Sequence, residues 1–229
     1  MQDYGLKDEL NWGKKVLESK EELAQYWYTY SKMIHEQWKH FWSIATPLEP
    51  KNAIELIDHG CGQGLATCLL FDHYGEKIGR YIQKLTLIDA SSQALNAAEK
   101  IVKLYLQRFD QTATINIVNQ TIDNIEPSKV VSNDDMHKLH LFSNILDMNT
   151  WNHTEYFQSL LRIGEKQTYF CVSPYRDFDG GESRFRDIRS LFTSTCINEG
   201  HKITNNDLSI FSFRENKDAI SLDMQISNS

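Results

Sequence analysis

The first sustained periodicity in the chain begins at Ser19. Leu23, Trp27, Tyr30, Ile34, Trp38, Phe41 and Ala45 recur at steps of three and four, which traces one face of a helix. Ser19 and Glu22 have the spacing of a capping box at its start, and Pro47 and Pro50 end it. Residues 1–19 show no period and read as partly loose. After Pro50 the pattern changes to short apolar runs separated by amphipathic stretches. Strands are expected at 54–58, 84–89, 114–118, 139–146 and 168–172. Helices are expected at about 64–74, from Ser91 or Ser92 to Phe109, at about 154–163, and across Phe185–Phe192. Gly164 stops the third of these. Two adjacent runs, 208–213 and 219–226, are joined by a polar stretch as in a hairpin.

Five strand–helix alternations followed by a hairpin imply an α/β fold. It is a Rossmann-like, doubly wound, mostly parallel seven-stranded sheet with an antiparallel C-terminal hairpin and an added N-terminal helical element. The division expected is an N-terminal extension or lid at 1–50 and a binding domain at 51–229. Ligands in such sheets lie at the carboxyl ends of the strands, where strand order reverses.

The first strand runs into Asp58-His59-Gly60-Cys61-Gly62-Gln63-Gly64. Alternating glycines at a strand–helix junction allow a sharp turn and let a ligand approach the backbone. A dinucleotide fingerprint would place its last small residue at Leu65, which fits poorly, and a phosphate-binding P-loop needs a lysine that this turn lacks. Asp89 ends the second strand, where a carboxylate can accept two hydrogen bonds from a vicinal diol.

These residues resemble the first motif of the class I S-adenosylmethionine-dependent methyltransferases, which Asp58-x-Gly60-x-Gly62-x-Gly64 matches at each defining position. The resemblance implies that S-adenosylmethionine is the cofactor and that the turn holds it through Asp58, His59, Gly60, Cys61, Gly62 and Gly64. Gly60 and Gly62 would pass the methionine part, and Asp58 would help hold its ammonium group. It further implies that Asp89, with Ala90, holds the ribose, and that Gln120 or Asp123, with Thr121, lies at the adenine. Ser143 and Asn144 would face the methyl group. Two departures stand out: the segment Asn119–Asp123 lacks the usual acid and small residue, and the fourth strand opens on Lys138-Leu139-His140 rather than on an acid.

Other chemistry is less specific. An aromatic stripe at helical spacing is usually core, but nine of 26 aromatic residues lie before position 46. Tyr26, Tyr28 and Trp42, off the main stripe, are candidates for a pocket wall. His59, His140 and His153 are candidate bases, and Asp147, Tyr175, Arg176 and Asp177 fall just past strand ends, on the expected rim. No catalytic residue is assigned. No Cys or His spacing suggests a metal site, and the scattered cysteines suggest a reduced, cytoplasmic protein. No leader or membrane span is read.

The net charge of −7 offers little to phosphates. The place after the fourth strand lacks the Pro-Pro-Tyr/Phe motif of amino-methylating DNA enzymes, and the chain has no Pro-Cys dipeptide. DNA is therefore disfavoured as acceptor, a small molecule is favoured, and RNA or protein remains open. The alternative reading is a catalytically silent S-adenosylmethionine-binding partner subunit.

Overall fold

The computed structural model describes residues 4–132, 134–164, 166–175, 181–199, 201–214 and 217–228. Its helices are α1 (Tyr4–Glu9), α2 (Lys20–Ile44), α3 (Leu65–Tyr74), α4 (Glu76–Gly79), α5 (Ser92–Arg108), α6 (Pro127–Val130), α7 (His153–Leu161) and α8 (Gly181–Glu199). Its strands are β1 (Ile54–His59), β2 (Ile82–Asp89), β3 (Thr114–Asn119), β4 (His137–Ser143), β5 (Lys166–Pro174), β6 (His201–Arg214) and β7 (Lys217–Asn228). The seven strands form one sheet in the order β3-β2-β1-β4-β5-β7-β6, with β7 antiparallel to both of its neighbours.

Alternation along each strand divides the core in two. Leu56, Leu85, Leu141 and Phe170 face α2, α3 and α5, while Ile57, Ile88, Phe142 and Tyr169 face α7 and α8. The order reverses between β1 and β4, which is the switch point of the sheet. No helix of the described residues is long and apolar enough to cross a membrane.

Several expectations need correcting at their edges. The N-terminal residues are packed rather than loose: Leu10 and Leu17 are buried in the same core as α2. The Ser19 cap itself forms as expected, Ser19 Oγ accepting from Glu22 N–H at 3.1 Å, and the Glu22 carboxylate additionally accepts from Glu18 N–H at 2.7 Å. The buried face of α2 is rotated, so that Trp42 is inside and Trp27 is 41% exposed. β4 ends at Ser143 rather than Leu146, because Asn144 adopts a left-handed φ of 55°. The hairpin strands are much longer than their apolar runs; Asn205, Asn206 and Asp207 sit within the β6–β7 ladder.

The Lys138 departure has a structural reason. Lys138 and Glu55 are register partners on β4 and β1, and both side chains are buried. The ammonium lies 3.1 Å from Glu55 and is also paired with Asp134. A buried charge needs such partners, and this cluster sits at the amino end of the sheet, away from the switch point.

Candidate functional site

Register explains how the site assembles. His59 is aligned with Ile88 on one side and Phe142 on the other. The next residue of each strand or turn, namely Gly60, Asp89 and Ser143, therefore emerges at the same level. A cavity of about 380 Å³ opens there. Gly60, Gly62, Asp89, Ala90, Gln120, Thr121, Ser143 and Asn144 line it, as does Asp123.

The three glycines have different reasons. A Cβ on Gly60 would stand 2.3 Å from Ile145 Cδ1, and one on Gly64 would stand 3.2 Å from Ala98 Cα of α5. Those two positions are bare so that the protein can pack. Gly62, at φ 52°, would meet no protein atom within 4 Å. Its bare face belongs to the cavity.

Three amides of the turn are already engaged. Cys61 N–H donates to Ile88 O at 2.8 Å, Gly64 N–H to Cys61 O at 2.8 Å, and Gly62 N–H to Asp89 Oδ2 at 2.9 Å. A phosphate cradle presents such N–H groups to its ligand; here these three donate within the protein. Asp89 Oδ1 accepts from Ser91 N–H at 2.8 Å, which fixes the carboxylate at the cavity wall. Burial raises its pKa, while the two backbone bonds act in the opposite direction. Each oxygen keeps a further lone pair.

At the β4 end, Ser143 Oγ accepts from Trp38 Nε1 at 2.9 Å, tying α2 to the site. The Asn144 side-chain amide has both polar atoms buried without a partner, an arrangement that points to a ligand group or water. One wall carries Thr121, Ile122 and Asp123, and Gly13–Leu17 and Tyr26 also line the cavity. Sequence reading missed the 13–17 strap, whose only signal was the isolated apolar pair Leu10 and Leu17. Ser91 Oγ donates to Leu17 O and Gln63 Nε2 to Leu23 O at 2.9 Å, which fastens the strap and α2 over the turn.

The remaining candidates lie elsewhere. Asp58, His59 and Gly64 do not line the cavity, and Cys61 lines a small adjoining hollow. Asp58 is fully buried; Thr67 Oγ1 donates to its Oδ2 at 2.7 Å and its Oδ1 has no partner. Burial pushes its pKa up to about 7. Burial also pushes the Cys61 thiol well up, away from thiolate chemistry.

The histidines expected as bases are core residues. His59 bonds Tyr156 OH at 2.9 Å and His140 Nδ1 at 3.0 Å, inside the sheet face that α7 covers. Burial lowers the pKa of both, and His140 is held at about 3. His153 lies against Trp151, with its pKa lowered to about 4.

Tyr26 lines the cavity, whereas Tyr28 is 80% exposed and Trp42 packs on Phe170. Asp147 lines a second small hollow with Lys14, Tyr26 and Asn144. Tyr175 OH donates to Glu182 at 2.6 Å. Arg176 and Asp177 lie outside the described residues.

No protein-family model matches the chain, and a sequence search of curated proteins finds no match. Solved structures do match in fold. An S-adenosylmethionine-dependent methyltransferase of the DUF858 family from Leishmania major aligns with a TM-score of 0.56 at 7% identity, over 96% of this chain and 82% of that one. TYW2 of M. jannaschii, solved with AdoMet, aligns at 0.50 and 10%, over 85% and 75%. The arsenic(III) methyltransferase CrArsM of Chlamydomonas reinhardtii aligns at 0.51 and 11%, over 79% and 65%.

Proposed function

With the class I methyltransferase fold as premise, we propose that this protein binds S-adenosylmethionine and transfers its methyl group to a small-molecule acceptor. The observation that carries the reading is the shared cavity of Gly62 and Asp89 at the switch point. A bare backbone face and a fixed carboxylate meet there, while the amides of Cys61, Gly62 and Gly64 already donate within the protein.

Bound there, the cofactor supplies an electrophilic methyl on a sulfonium. Asp89 accepts the ribose hydroxyls and Gln120, Thr121 and Asp123 border the base. Asp58, buried behind the turn, acts through the turn's shape rather than by direct contact, with Thr67 Oγ1 donating to it. Ser143 and Asn144 border the methyl, with Ser143 held by Trp38. Catalysis is then mainly alignment and exclusion of water, the task of Tyr26 and the strap. A base is required only if the acceptor must lose a proton. A small acceptor is favoured by the covered cavity and the acidic charge balance, and an RNA or protein acceptor is the competing case.

Calorimetry with S-adenosylhomocysteine and NAD tests the cofactor. S-adenosylhomocysteine is expected to bind and NAD to fail, and Asp89→Ala to weaken S-adenosylhomocysteine by about 1.5–3 kcal/mol, the worth of charge-assisted hydrogen bonds. NAD binding in preference, or an unchanged affinity in folded Asp89→Ala, overturns the reading. Tritiated-methyl transfer across small-molecule, RNA and protein pools then separates an enzyme from a silent binding subunit.

A further inference from the structure

The sheet has two edges, and they are finished differently. An unpaired edge strand offers its backbone to any other chain, and natural edges are closed by charge, proline, bulges or cover. β6 is closed in this way. It carries Lys202, Asp207 and Arg214, its ladder with β7 shifts register at two places, and Arg189 of α8 donates to the Asn206 carbonyl at 3.1 Å. β3, at the other edge, has none of these devices. No charged residue and no proline falls between Asp110 and Asp123, in a chain with 24% charged residues. Its ladder with β2 keeps one register from Thr114 to Asn119, and among the described residues no side chain bonds to its backbone.

β3 is also thinly covered on both faces. On the α5 face, Ile115 is partly covered and Ile117 is 38% exposed. Leu104 of α5, three residues on from Ile101, is 64% exposed. On the other face the crossover to β4 holds only the single turn α6, and Thr114 and Asn116 border an open groove of about 310 Å³.

The strand is complementary to itself. A charged partner finds no counterpart between Asp110 and Asp123, whereas a second copy brings the same uncharged, β-branched residues. A two-fold axis perpendicular to the sheet at Asn116 sets two copies of β3 antiparallel. Ile115 then stands opposite Ile117 of the partner subunit, Thr114 opposite Val118 of the partner subunit, and Asn116 opposite its own copy. Residues directly opposite share a face, so the isoleucines of both copies gather on the α5 side. Two chains of charge −7 repel one another, and along this strip they meet without like charges facing.

We propose that the chain forms a two-fold symmetric dimer through β3, which continues the sheet from one copy into the next. The dimer is independent of the cofactor reading, but it reaches the site. β3 runs directly into Gln120–Asp123 at the cavity wall, and in this register Asn119 stands opposite Ala113 of the partner subunit.

Sedimentation velocity on the full chain across a concentration series tests this. The unaltered protein is expected to approach twice the 26.6 kDa of one chain. Asn116 is exposed, so Asn116→Lys should keep the circular dichroism of the unaltered protein. It sets two lysines face to face at the axis and should raise the dissociation constant by about fivefold or more. An equal mixture of Asn116→Lys and Asn116→Asp should regain the unaltered affinity, and Ile210→Lys on the β6 edge should change nothing. Should Asn116→Lys fail to fold, Asn116→Asp, which opposes two carboxylates, is read in its place. A single 26.6 kDa species at every concentration overturns the proposal. So does a dimer indifferent to Asn116→Lys, one lost in Ile210→Lys, or a mixture no tighter than its separate components.

Discussion

At the scale of single residues, identical side chains serve different ends, and the glycine turn separates them cleanly. Gly60 and Gly64 are bare because Ile145 and Ala98 occupy the space, whereas Gly62 is bare toward the cavity. Gly60→Ala is therefore expected to lower stability by about 1–3 kcal/mol, through overpacking and a left-handed φ. Gly62→Ala should cost mainly the left-handed strain, about 1–2 kcal/mol, while lowering ligand affinity further because its methyl enters the cavity. Urea unfolding and calorimetry on both variants check this; equal affinity losses at the two positions would contradict it. Sequence reading grouped the three glycines because their spacing is uniform; which neighbour each one meets is settled by strands and helices far along the chain.

At the scale of elements, the amino end of the sheet is built around an ionic cluster. Lys138 on β4 is buried against Glu55 on β1 and Asp134. Removing one member of a buried pair strands the other, so Lys138→Met is expected to cost about 3–5 kcal/mol. The double variant with Glu55→Leu should recover a large part of that loss, because it leaves no buried charge on either strand. A double-mutant cycle by urea denaturation measures the coupling, and additive losses would show that the two strands do not share this pair. Helix α2 is the counterpart at the other end of the molecule. Its Trp38 reaches Ser143 and its Leu23 carbonyl holds Gln63, so an element outside the alternating core braces the site.

At the scale of the whole molecule, burial decides how stability responds to pH. Asp58 lies between two packed layers, and burial pushes its pKa up to about 7 from 3.8. The folded state then holds a proton that the unfolded chain gives up above about 4, so this group's contribution to stability declines as pH rises from about 4 to 7. Buried His140 acts with the opposite sign. Held at about 3 against 6.5, it refuses a proton that the unfolded chain accepts, and stability falls as pH drops from about 6.5. Asp58→Asn removes only the first effect. Compared with the unaltered protein in urea, it should gain stability at pH 8 relative to pH 5; a difference that is flat with pH, or that moves the other way, would show that Asp58 is not held protonated by burial.

Local chemistry was enough to read the alternation of strands and helices, the Ser19 cap, the switch-point turn and Asp89, because each depends on neighbours within a few residues. The family resemblance, rather than local chemistry, set Gln120, Asp123, Ser143 and Asn144 about one ligand, and all four line the cavity. Other features depend on contacts between distant segments, and only the tertiary structure decided them. The His59–His140–Tyr156 chain lies in the core because the register of β1 and β4 sets those rings side by side under α7. Residues 13–17 reach the cavity because Leu10 and Leu17 find a core built from residues that follow them. A strand's end is written in its own residues; which other segment will cover it is a property of packing, and packing is non-local.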